Sequence, residues 1–98
     1  MPKGYVLAEL EITDPAQFAE YGKQVVGTVQ AFGGRYLVRG GAAERMEGDH
    51  PMRRMVVLEF PSVEQAKAWY DSKEYAPLKD LRIRSATTQL IIVAGVES

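Results

Sequence analysis

The architecture this sequence predicts is a ferredoxin-like α+β sandwich, four antiparallel strands with helices over one face. Four apolar stretches of strand length run through residues 5–12, 35–39, 53–60 and 87–93. Two capped amphipathic segments, opening at Asp14-Pro15 and at Ser62-Val63, fall between the first and second strands and between the third and fourth. With short connections and right-handed crossovers, the order β-α-β-β-α-β is satisfied most simply by that sandwich. Residues 1–98 read as one domain, a normal length for a single core.

In the first strand Val6, Ala8, Leu10 and Ile12 form one face, and Tyr5, Leu7, Glu9 and Glu11 the other. Asp14 is a good N-cap, Pro15 suits the first helical position and Gln17 sits at the capping-box position. Phe18, Tyr21, Val25, Val29 and Phe32 make the apolar stripe of the first helix. Gly22 and Gly27 weaken it by about 1 kcal/mol each relative to Ala unless something packs closely there. Gly33-Gly34 ends it.

The second strand, 35–39, is predicted to bulge at Gly40-Gly41 and resume through Ala42–Met46, turning at Glu47–Pro51 into the third strand, 53–60. A hairpin centred near Asp49 sets Glu44 opposite Arg54 and Arg39 opposite Glu59. Ser62-Val63-Glu64-Gln65 is a capping box for a helix to about Asp71, with Val63, Ala66, Trp69 and Tyr70 inward. Ser72-Lys73-Glu74-Tyr75 starts an extra short helix with Pro77 in its first turn and Leu78 and Leu81 inward. The third and last strands are apolar on both faces. Helices cover one face only, so the face carrying Leu7 predicts a homodimer packed sheet to sheet.

Composition excludes more than it identifies. Formal net charge is −1, with no basic excess to collect phosphates, so nucleic acid is excluded as a partner. The absence of cysteine rules out disulfides, thiolate catalysis and thiolate-ligated metals. No apolar run approaches the about 18 residues of a membrane span, and the first residues run straight into a strand; the chain reads as cytoplasmic.

Gly4-Tyr5, Asp14-Pro15, Tyr21, Gly33-Gly34, Val38-Arg39-Gly40-Gly41, Glu59-Phe60-Pro61-Ser62, Trp69-Tyr70, Ser72-Lys73-Glu74-Tyr75 and Leu81-Arg82 together resemble a family of small bacterial proteins, domain of unknown function 1330. The resemblance runs nearly end to end. It implies a dimeric α/β barrel of ferredoxin-like protomers and no settled activity; the wider fold group includes cofactor-free oxygenases, haem-degrading enzymes, isomerases and stress-response proteins.

Candidate sites follow from residue chemistry. His50, the sole histidine, stands beside Pro51 in a turn and reads as a solvated loop residue, so no metal or haem is expected. Asp71, Glu74 and Asp80 read as helix caps and solvated charge rather than a cation site. Glu9 and Glu11 share the Leu7 face and read as interface charges pairing with arginine. Trp69, Tyr70 and Tyr75 are aromatic residues with polar tips, suited to lining a small-molecule pocket or to closing the core. Arg39 and Arg82 are either anion clamps or halves of structural ion pairs, Arg39 with Glu59 for example. The ligand position predicted is between the sheet and residues 69–82. Two functions fit: a cofactor-free enzyme acting on a small aromatic or carboxylated metabolite, or a non-catalytic binding or stress-associated dimeric module. A purely structural dimer is the third alternative.

Overall fold

The computed structural model describes residues 2–97; Met1 and Ser98 lie outside the described residues. Seven elements follow in order: β1 (Gly4–Ile12), α1 (Pro15–Ala31), β2 (Arg35–Arg39), β3 (Arg54–Phe60), α2 (Val63–Tyr70), α3 (Ala76–Ser85) and β4 (Ala86–Ala94). The strands form one antiparallel sheet in the order β2-β3-β1-β4, the ferredoxin-like arrangement.

Local signals operate as the side chains require. Asp14 accepts a hydrogen bond from the Gln17 amide at 3.1 Å, and Ser62 accepts one from the Gln65 amide at 3.1 Å, so each helix starts on its cap. Ser72 caps the next turn, accepting from the Tyr75 amide at 3.1 Å. Gly33 closes α1 at φ +78°, the left-handed conformation that favours glycine.

The β2–β3 connection departs from expectation. Strand 2 ends at Arg39 and does not resume; residues 40–53 form a long irregular segment. The irregularity in pairing lies between Tyr36 and Val38, ahead of Gly40-Gly41. Glu59 therefore stands opposite Arg35, and Arg39 opposite Val56. The predicted Arg39–Glu59 and Glu44–Arg54 pairings are corrected: Glu59 takes Arg35 at 2.8 Å, Lys3 at 3.5 Å and the Tyr5 hydroxyl at 3.0 Å. The Arg35 guanidinium, more than the Tyr5 hydroxyl, holds the Glu59 carboxyl below its usual range, against a desolvation that raises it.

The core lies between the helices and one sheet face. Val6, Leu58 and Phe60 of the sheet meet Tyr21, Val25 and Val29 of α1, Ala66 and Trp69 of α2, and Tyr75 and Leu78. Trp69 is its centre, with ring centroids 4.2 Å from Tyr75 and 5.5 Å from Phe60. Its indole N–H donates to the Thr28 hydroxyl at 3.0 Å, tying α2 to α1. The opposite sheet face carries Tyr5, Leu7, Val38, Met55, Val57, Ile91 and Val93 by register. Val38, Ile91 and Val93 are exposed there, at 39%, 53% and 42%.

Candidate functional site: an electropositive cavity under the first helix

Helix α2 lies directly on the sheet, but α1 packs chiefly on α3. The end of α3 sets that position, because the Ser85 carbonyl accepts from both the Thr13 and Asp14 amides, at 2.8 and 3.0 Å. The space between α1 and the sheet is a cavity of about 430 Å³, within the range of small-molecule sites. Val6, Ala8 and Leu10 of β1, Val56 and Leu58 of β3, and Leu90 of β4 floor it; Phe18 and Val25 of α1 cover it.

At its inner end stand Trp69, Tyr21 and Arg82. Arg82 is 4% exposed and donates from Nε to the Tyr75 hydroxyl at 3.1 Å. No carboxylate pairs with it among the described residues. The Tyr75 hydroxyl also bonds the Tyr21 hydroxyl at 2.9 Å, and Tyr75 is fully enclosed. A buried hydroxyl proton without an acceptor is costly. Hydrogen-bond accounting therefore has Tyr75 donate to Tyr21, leaving the Tyr21 proton for the cavity. Burial, and then the neighbouring Tyr75, push the Tyr21 phenol far above its ordinary range, with Arg82 opposing. Tyr21 is thus a neutral donor at physiological pH.

At the open end stand Lys23, Arg39 and Arg54, all exposed. Arg39 donates to the Gly22 carbonyl at 2.8 Å and stacks over the Tyr36 ring at 4.8 Å. The Arg54 guanidinium lies against Gly40. No aspartate or glutamate lines the cavity.

The structure brings Arg39, Trp69 and Arg82 to one cavity. Tyr75 stands behind its wall, holding Tyr21 and Arg82. Tyr70 is turned away: Lys79 covers its ring at 3.9 Å, and it borders a second, more open recess with Arg82, Ile83 and Thr88. Sequence reasoning assigned Tyr21 to the core stripe and passed over Arg54; the phenolic tip of Tyr21 was the available signal. Glu9 meets the His50 imidazole at 3.2 Å rather than an arginine, and His50 is exposed in the irregular segment 40–53. Asp71, Glu74 and Asp80 are exposed, and no three metal-ligating side chains converge among the described residues. No described helix is long and apolar enough to cross a membrane.

Comparison with known proteins extends the geometry. The chain is similar to the solved RPA0582 protein of unknown function from Rhodopseudomonas palustris, with TM-score 0.77 and 16% identity over 99% of this chain and 85% of that one. It is similar to SnoaB, a cofactor-independent oxygenase from Streptomyces nogalater, with TM-score 0.67 and 9% identity over 100% of this chain and 97% of that one. At these identities the likeness shows the fold. No curated protein matches the chain significantly. The family is shown by the sequence model for the domain of unknown function DUF1330, which matches residues 3–96, and the chain belongs to that family.

Proposed function

We propose that this protein binds a small aromatic or otherwise apolar carboxylate in the cavity between α1 and the sheet. One observation carries the reading: Arg82 is 4% exposed, lines the cavity and has no carboxylate partner among the described residues. A buried cation is stable only with compensation, and a single tyrosine oxygen is little of it. A ligand carboxylate would supply the rest through a charge-assisted hydrogen bond, with Tyr21 adding a second donor. The apolar walls suit a hydrocarbon body.

Calorimetric titration with phenylacetate and its neutral amide tests this. Phenylacetate should bind at least about tenfold tighter than phenylacetamide, the worth of one hydrogen bond to a charged group. Arg82→Met should erase that difference while keeping the fold, as judged by circular dichroism; Arg82→Lys should retain part of it. Equal binding of acid and amide, or an unchanged preference in Arg82→Met, would overturn the reading.

Cofactor-free catalysis at the same cavity is the second reading. It is favoured by Tyr21, a neutral donor held in place by Tyr75 and Arg82, which is suited to an oxyanion developing on a bound substrate. A fold likeness to a cofactor-independent oxygenase agrees with it. Incubating bound candidates in air and analysing products by mass spectrometry separates the readings. Turnover lost in Tyr21→Phe with binding retained supports an enzyme; recovery of every ligand unchanged leaves a binding module. In either case the apolar face around Leu7 and Ile91 is read as a homodimer contact, supported by the exposure of Val38, Ile91 and Val93 and by the absence of any helix over it among the described residues.

A further inference from the structure

We infer that the ligand carries two anionic groups at opposite ends of an apolar body, one bound by Arg82 and the other by the cations at the cavity mouth. This deepens, and rests on, the carboxylate reading above. The cavity lining contains four basic side chains and no acidic one: Arg82 inside, and Lys23, Arg39 and Arg54 at the opening. In a chain of net charge −1 such sorting is not a consequence of composition. Arg82 is buried while the other three are exposed, so the charges fall into an inner and an outer group. Val6, Ala8, Val56, Leu58 and Leu90 supply apolar wall, beside the Tyr36 ring.

The outer group is built for an anion. Arg39 and Arg54 have no ion-pair partner among the described residues. Arg39 spends one nitrogen on the Gly22 carbonyl and rests on the Tyr36 ring, which fixes its plane beside the opening. Arg54 follows on the neighbouring strand, two residues along the same face from Val56. Two guanidiniums of like charge at one opening repel each other unless an anion lies between them. Planar guanidinium forks match a carboxylate in particular. A monocarboxylate satisfies one end of this cavity; a dicarboxylate satisfies both.

The probes are phenylacetate and para-phenylenediacetate, which share a ring and differ by one acetate arm. Each is titrated calorimetrically into wild-type protein, Arg82→Met and the double variant Arg39→Gln with Arg54→Gln, at two salt concentrations. The diacid should bind wild type at least about tenfold tighter than the monoacid, with the steeper salt dependence. The double variant should lose that advantage, the ratio of diacid to monoacid affinity falling to within about twofold of one. Arg82→Met should weaken both. If phenylacetate binds through Arg82 but the diacid gains nothing, or if the double variant weakens both acids equally, the two-ended ligand is overturned and the single-carboxylate reading survives. If neither acid binds wild type, both are overturned.

Discussion

Arg82, Tyr75 and Tyr21 form a short chain of polar groups inside an otherwise apolar core. Tyr75 is its middle link, so Tyr75→Phe leaves both the Arg82 Nε–H and the Tyr21 hydroxyl without a partner. The ring and its stacking on Trp69 survive, and the loss should be about 1–3 kcal/mol by urea denaturation, the desolvation cost of the orphaned groups. A loss near zero would mean that water restores both bonds. Tyr21 also gives the stability a pH dependence. Its folded-state value is raised by burial above that of the unfolded chain, so the folded protein holds the proton more tightly. Stability from this group is complete below the ordinary tyrosine value of about 10 and declines as pH rises beyond it. Tyr21→Phe should reduce that alkaline decline, and tyrosinate absorbance of the wild type should show the Tyr21 phenol ionising only as the protein unfolds, beside a Tyr36 phenol also raised by burial. Arg82 and Tyr75 were legible in the sequence as polar side chains in an apolar neighbourhood. Tyr21 was not separable from its stripe, because periodicity reports the direction of a side chain and not the surroundings of its tip.

The helices follow their caps and stripes closely, and the glycines of the chain divide by position. Gly4 meets the Ser62 carbonyl and Val63 backbone so closely that a methyl group would displace them. Gly27 has open space at its Cβ position and lies inside α1. Gly27→Ala should therefore stabilise by about 1 kcal/mol, read as a higher melting temperature, since it removes only the entropic cost of glycine in a helix. A lower melting temperature would show that α1 needs that freedom. The β2–β3 connection shows the limit of pattern reading. The sequence predicts that Ala42–Met46 continues the strand, but residues 40–53 have no partner strand once Gly40 adopts φ +67° against the Arg54 side chain. The register then follows from Glu59, whose carboxylate collects Arg35, Lys3 and the Tyr5 hydroxyl on the open face. Glu59 is held below its usual range, chiefly by Arg35, so its contribution is present above the unfolded carboxylate value and is lost as pH falls through the lower folded one. Glu59→Gln should therefore unfold at lower urea than wild type at neutral pH, converge with it in acid below the folded value, and so show less acid sensitivity between those two values.

Taken as a whole, the molecule covers one sheet face and leaves the other apolar. Leu7 lies between Val57 and Ile91 in the ladder, at the middle of that open face. Leu7→Lys should convert a dimer to monomer in sedimentation at micromolar concentration, since a lysine there would be buried without a partner. A wild-type protein that sediments as a stable monomer would instead leave the face to some other contact.

Periodicity, caps and glycine placement are short-range properties, written within a few residues of where they act. They sufficed for the order of elements, the helix starts at Asp14 and Ser62, the extra helix after Ser72 and the two-sided character of β3 and β4. The cavity is not of that kind. It exists because the Ser85 carbonyl anchors the entrance of α1 and α3 takes up its flank, which leaves a gap above Val6, Ala8 and Leu10. Residues more than fifty positions apart decide that spacing and that Tyr75 supports the wall instead of lining it, while the β2–β3 register, over a shorter separation, decides that Arg39 faces the gap rather than Glu59. Side-chain types can be read along a chain, but which of them share a volume depends on distances that only the packed elements set.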